Sequence, residues 1–280
     1  MATAWAVKLK EFAGTGRKVS AVGMGTYYDP LWIMTGLLGW RRGAQAKVEA
    51  IAAGLDAGIA LVDTAELYQS ERLVAKALAG RKREDVFLAT KVSPNHLHRD
   101  ALIGAVDRSL KRLETTYVDL YQIHWPNSKV SLAETMGAME KLIEDGKVMY
   151  VGVSNFTLDQ IREAQSALPK SELSAVQLDY SLIHRNVESG ILQYCDAQKM
   201  ALLAYYPLGH GKLLSDSRLD SVGLNHNKTK AQVALQWLIE KPNVFPIPRA
   251  SRAEHVRENA AAGEWELTDG ERVELDQKFR

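Results

Sequence analysis

An alternation constrains this sequence more than any other feature. Short apolar runs recur along the 280 residues, separated by longer stretches with apolar side chains at helical spacing. The runs are VSAVGMGT (Val19 to Thr26), IALVDT (Ile59 to Thr64), VFLATK (Val86 to Lys91) and VDLYQIH (Val118 to His124). Four more follow: VMYVGVS ending at Ser154, SAVQLDY ending at Tyr180, ALLAYYP ending at Pro207 and VFPIP ending at Pro248. Several are apolar almost throughout, as strands covered on both faces should be. Between them AQAKVEAIAAGLDAG, RDALIGAVDRSLKRLE, SLAETMGAMEKLIEDG and TKAQVALQWLIEK read as amphipathic helices. Gly58, Gly146 and Pro242 stand where three of these should stop.

Strands alternating with helices build a parallel sheet. Eight of them favour an α/β fold closed into a (β/α)8 TIM barrel over an open doubly wound sheet, which uses the same local pattern. The segment WAVKLKEFAGTGRKVS alternates around a glycine-containing turn and is expected to form an N-terminal β-hairpin closing the barrel bottom. No linker, low-complexity segment or charge block interrupts the chain, so residues 1–280 are expected to form a single barrel domain.

With 46% hydrophobic residues and a net charge of +1, the chain can bury a large core, and nothing in its charge suggests nucleic acid or a membrane surface as partner. The one cysteine, Cys195, has no disulfide partner and fits a reducing compartment. No signal-peptide pattern or membrane-length apolar run is evident, so a cytoplasmic location is expected.

Active sites of barrels gather where strands end, because the loops there converge on one mouth. Asp63, Lys91, His124, Ser154 and Asn155 end strands, Tyr68 follows Asp63 by five residues, and Gln177 and Tyr205 lie within strands. Singly, each has an ordinary reading as a cap, a packing residue or a surface group. Brought together, ionisable groups at one mouth must pair to be buried. Asp63 would then hold Lys91, and the ammonium would lower the phenol pKa of Tyr68. His124 would orient a carbonyl oxygen, a set suited to delivering a proton to oxygen as negative charge builds there.

The stretches DTAELYQSERLVAKAL, FLATKV, SLKRLETTYVDLYQIHWP, GKVMYVGVSNF, LLAYYPLG and IPRASRAEHVRENAAA resemble the aldo-keto reductases along nearly the whole chain. That resemblance implies a barrel that reduces aldehydes and ketones with a nicotinamide cofactor. Its catalytic tetrad falls on Asp63, Tyr68, Lys91 and His124, with Tyr68 as proton donor. It further implies that Ser154, Asn155 and Gln177 bind the carboxamide, that Tyr205 stacks on the nicotinamide, and that Pro207, Leu208 and Gly209 cover the pyrophosphate. Gly25 and Thr26 are expected near the cofactor as well. Arg249, Ser251 and Arg252 suit the 2′-phosphate of NADPH, and Glu258 and Asn259 match the adenine-binding pair. His255 stands where many relatives carry arginine, which keeps NADH open as a weaker alternative.

Tyr27, Tyr28, Trp32 and Trp125 are candidates for the substrate pocket; packing or a subunit contact is the competing reading of that aromatic loop. A short connection after His124 and the absence of a long tail suggest an open pocket for small-molecule carbonyl substrates. Ser70 and Ala75 depart from the family pattern, where asparagine and glycine are common. A monomer is expected. Two other functions compete: a cofactor-binding regulatory subunit with little turnover, and a hydrolase using Asp63 with Glu66 or Glu71 and a metal on His124 or His210. No clear multi-histidine ligand set supports the metal reading, and no metal is expected.

Overall fold

The computed structural model describes residues 7–38 and 43–280. Trp5 and Ala6 of the expected hairpin, and Gly39 and Trp40 of the aromatic loop, lie outside the described residues. The first apolar run divides in two. Strands β1 (Leu9–Glu11) and β2 (Lys18–Ser20) pair antiparallel, with Leu9 opposite Ser20, while the first barrel strand, β3, is only Met24–Gly25. The hairpin carries Phe12 into the barrel interior, where its ring meets Phe87 at 4.4 Å and Phe245 at 5.3 Å. Lys10 fastens the hairpin, donating to the carbonyls of Ile239, Lys241 and Val244 at 3.1, 2.6 and 2.8 Å.

The remaining barrel strands are β4 (Leu61–Asp63), β5 (Phe87–Val92), β6 (Val118–Ile123), β7 (Val148–Ser154), β8 (Leu173–Asp179), β9 (Ala201–Tyr205) and β10 (Val244–Pro246). They lie parallel in sequence order from β3 to β10. Backbone hydrogen bonds from Gly23 to Pro246 (2.8 Å) and from Gly25 to Pro248 (3.1 Å) join the two ends of the sheet. Glycine is needed at this seam, since a Cβ on Gly25 would sit 2.9 Å from the Ile247 carbonyl oxygen. Every residue of β5 and β6 is buried, because helices cover one face and the barrel interior the other.

Helices α1 (Pro30–Leu37) and α2 (Ala44–Asp56) follow β3, and α3 (Glu71–Leu78), α4 (Arg99–Leu113), α5 (Leu132–Glu144) and α6 (Leu158–Ser166) follow the next four strands. Then come α7 (Ile191–Ala197) after β8, α8 (Asp220–His226) and α9 (Lys230–Ile239) after β9, and α10 (Ala253–Ala260) and α11 (Asp269–Lys278) after β10. Gly58 and Gly146 follow α2 and α5 with φ of +90° and +68°, the left-handed turn that ends a helix. Thr157 with Gln160, Thr229 with Gln232 and Thr268 with Glu271 form capping boxes at the starts of α6, α9 and α11. Cys195 is fully buried on α7, and burial, with Asp196 nearby, pushes its thiol pKa up to about 12. Among the described residues no helix is long and apolar enough to cross a membrane.

Strand parity sets the chemistry of the interior. Leu61, Phe87, Ala89, Leu120, Ala175, Leu203, Phe245 and Ile247 pack with Phe12 into one apolar cluster that fills the lower barrel. Side chains two residues further along the same strand face point the same way, one layer higher. That parity carries Asp63, Lys91, His124, Ser154, Gln177 and Tyr205 to the upper end of the interior.

Candidate active site

Lys91 is fully buried near the end of β5 and spends its ammonium on three acceptors. It donates to Asp63 Oδ2 at 2.6 Å, Asp63 Oδ1 at 2.8 Å and the Thr64 carbonyl at 2.9 Å. The Tyr68 hydroxyl lies 3.4 Å from Lys91 Nζ and 3.3 Å from His124 Nε2. A short helical turn after β4 brings Tyr68 back over the strand ends, held by the Tyr68 N–H to Ala65 carbonyl bond at 3.1 Å. All four expected tetrad residues therefore form one connected group.

The charges differ from the expected picture in one respect. Burial, then Asp63 and three neighbouring tyrosines, pushes the Tyr68 pKa up rather than down. Lys91 does not overcome the burial, because it lies closer to the Asp63 carboxylate (2.6 Å) than to the phenol (3.4 Å) and its charge is largely answered there. Part of the Tyr68 surface remains open to the pocket. Burial also lowers the Lys91 pKa, opposed by Asp63. Burial first, and Lys91 second, take His124 down to about 2, so its imidazole is neutral across the physiological range. His124 stacks on Trp125 with ring centres 4.0 Å apart.

A single groove of about 1130 Å³ opens above this group. Asp63, Tyr68, His124 and Trp125 line one part, and Arg249, Ser251, Arg252, His255, Glu258 and Asn259 line another. Gly25, Tyr27, Tyr28, Ser154, Asn155, Gln177, Tyr205, Pro207 and Leu208 also reach it. Lys91 sits beneath its wall. Thr26, Trp32 and Gly209 do not line it. Thr26 is buried and bridges the Asp63 carbonyl and the Ser70 hydroxyl, each at 3.0 Å. Trp32 packs behind Tyr28, at 5.6 Å between rings, because α1 turns that face toward the core.

Two expected ligand groups also brace the wall. Gln177 Nε2 donates to Asp63 Oδ1 at 2.9 Å, linking β8 to β4 across the interior. Asn155, in a left-handed conformation at φ +63°, donates to the His124 carbonyl at 2.9 Å and accepts the Tyr205 hydroxyl at 2.8 Å. At the far end, Glu258 accepts from Thr229 at 2.5 Å, and His255 lies between Glu254 (3.7 Å) and Glu258 (3.3 Å). Arg252 is largely exposed, 3.5 Å from Glu254.

Tyr206 and Lys230 line the groove as well and escape a reading by motif, and His210, named from the sequence only as a possible metal ligand, joins them there. Tyr206 follows Tyr205, and its left-handed backbone at φ +47° swings the second ring back over the mouth, edge-on to Tyr27 at 6.5 Å. The doubled tyrosine was the available signal. Asp179, His184 and His210 also gather at this end of the barrel, the one three-member set of potential metal ligands found among the described residues.

A model described as the aldo/keto reductase family matches residues 33–280. The chain is 37% identical to methylglyoxal reductase YeaE of Escherichia coli over 97% of its own length and 95% of the relative's. It is 32% identical to glyoxal reductase of Bacillus subtilis, over 88% and 87% of the two chains. The crystal structure of an aldo/keto reductase from Klebsiella pneumoniae in complex with NADP and acetate superposes with a TM-score of 0.86, at 34% identity over 98% and 96% of the chains.

Proposed function

The chain belongs to the aldo/keto reductase family, and from that premise we propose that it reduces small aldehydes and ketones to alcohols with NADPH, through Tyr68, Lys91, Asp63 and His124. The observation that carries this reading is the Tyr68 hydroxyl at the groove floor, 3.4 Å from a buried ammonium and 3.3 Å from a neutral imidazole. The names of the relatives favour short dicarbonyls such as methylglyoxal and glyoxal as substrates.

The residues fit a phosphorylated dinucleotide. At about 1130 Å³ the groove exceeds the usual range of about 300–1000 Å³ for small-ligand pockets, leaving room for cofactor and substrate together. Amide and hydroxyl groups of Ser154, Asn155 and Gln177 would hold the nicotinamide end, with Tyr205 beside the ring. Arg249, Ser251 and Arg252 supply the positive and hydroxyl donors a 2′-phosphate needs. When bound, NADPH supplies the hydride that reduces the carbonyl carbon.

The protein supplies position and proton. His124, uncharged, donates a hydrogen bond to the carbonyl oxygen without adding a competing positive charge. Tyr68 keeps its proton at rest because burial and Asp63 disfavour phenolate, and it releases that proton only to an oxygen becoming alkoxide-like. Lys91 then stabilises the phenolate left behind, and Asp63 and Gln177 keep the ammonium in place. Trp125, Tyr27 and Tyr206 shield the mouth from water.

Tyr68→Phe tests this reading. NADPH consumption with methylglyoxal should fall by roughly 10²–10⁴-fold, while NADPH binding, followed by quenching of protein fluorescence, stays near wild type. Retained turnover in the variant would refute the proton-donor role.

A further inference from the structure

Asp179 is the last residue of β8, on the same strand face as Ala175 and Gln177, and therefore stands at the barrel mouth. One of its carboxylate oxygens, Oδ2, lies 3.0 Å from His184 Nδ1 and 3.5 Å from His210 Nε2. The other, Oδ1, is buried without a hydrogen-bond partner among the described residues. The three ligand atoms all lie within 4.8 Å of one another.

We propose that Asp179, His184 and His210 form a binding site for a divalent transition metal of the zinc class, beside the reductase groove and separate from its tetrad. Two imidazoles and one carboxylate are a donor set such ions favour, leaving the fourth position to water. Bonds of about 2.0–2.1 Å in a tetrahedron place neighbouring donor atoms about 3.3–3.4 Å apart. The two measured separations, 3.0 and 3.5 Å, bracket that edge. Small side-chain rotations would complete the shell.

The backbone on both sides is shaped to present these groups. Ser181 and His184 exchange two backbone hydrogen bonds, at 3.1 and 3.2 Å, closing a tight turn that brings His184 back toward Asp179. Gly209, His210 and Gly211 are successive left-handed residues, with φ of +57°, +54° and +87°. Such a conformation is uncommon outside glycine and points to a local constraint on His210. Tyr206 supports the imidazole, with ring centres 3.7 Å apart. A bound ion would tie the segment 206–211 to the end of β8.

Calorimetric titration of the full chain with Zn²⁺ tests the site, with Co²⁺ as an optical probe of tetrahedral coordination. One ion per chain should bind wild type, and His184→Ala and His210→Ala should each weaken binding at least roughly tenfold. His184 does not line the groove, so metal-free NADPH turnover by His184→Ala should match wild type and confirm that the variant is folded. Absence of stoichiometric uptake by wild type, or equal affinity in all three proteins, would overturn the proposal and leave a hydrogen-bonded His–Asp–His group. Because uptake is read without cofactor, it stands or fails independently of the reductase reading.

Discussion

Replacing Lys91 by methionine removes the ammonium but keeps a similar volume, so the effect isolates the buried ion pair. At an effective dielectric of about 20, charges about 2.7 Å apart attract by about 6 kcal/mol, a gain set against the cost of burying both. What the variant leaves behind decides the outcome. Asp63 stays buried with Gln177 as its remaining side-chain donor, and the Thr64 carbonyl loses a partner. Breaking such a pair costs about 3–5 kcal/mol. An unfolding entropy of roughly 2.1 cal/mol/K per residue gives about 0.6 kcal/mol/K for this 280-residue chain, hence a melting temperature lower by roughly 5–9 °C. Urea unfolding followed by tryptophan fluorescence measures the free energy directly. The double variant Lys91→Met with Asp63→Asn removes the stranded charge while its amide still accepts from Gln177, so it should recover at least about 2 kcal/mol relative to Lys91→Met alone. If Lys91→Met costs under about 1 kcal/mol, or the two single effects merely add, the ion pair is not the bond that fixes the tetrad.

Arg252→Ala should raise the KM for NADPH by roughly tenfold with little change for NADH, as loss of one phosphate contact requires; equal weakening of both in steady-state assays would make the arginine structural. His124 makes stability depend on pH. Its folded pKa lies below the unfolded value of about 6.5, so its contribution is full above that pH and declines below it by up to about 1.4 kcal/mol per pH unit. Denaturation curves of wild type and His124→Gln should converge from pH 7 to pH 5, and parallel pH profiles would refute the assignment. Gly152→Ala should destabilise the barrel by about 1–3 kcal/mol, because the added Cβ would sit 2.6 Å from the Ala175 carbonyl oxygen; an unchanged melting temperature would show that the wall can yield there.

The barrel was legible because its code is local. Each strand is a few residues of apolar parity, and the same parity that buries Leu120 carries His124 to the mouth. Asp63, Tyr68, Lys91 and His124 could be grouped from the ends of separate runs for that reason. Long-range packing accounts for what was missed. The first run reads as one strand, yet Val19 and Ser20 pair antiparallel with Lys10 and Leu9 in the hairpin, and the Ser20 hydroxyl accepts the Ala60 and Leu61 N–H groups at the foot of β4. The upward shift of Tyr68 depends on burial and on Asp63, with tyrosines from two other segments, Tyr27 and the pair Tyr205 and Tyr206, and the Gln177 brace on Asp63 joins residues 114 positions apart. Thr26 is expected at the cofactor and Trp32 at the substrate pocket, but the chain turns both inward, which for Trp32 is the competing packing reading. His210 reaches Asp179 only through a left-handed backbone that residue type does not announce.

The isolated thiol gives the molecule an internal clock. Cys195 is fully enclosed, and its pKa of about 12 leaves almost no thiolate at neutral pH. A thiol reagent can therefore label it only after α7 opens, and no second cysteine contributes background. Under conditions where labelling outpaces reclosure, the rate of modification equals the rate of opening in native buffer. The opening of α7 can thus be timed without denaturant or an introduced probe, and any ligand that binds only the closed form would register as a slower count.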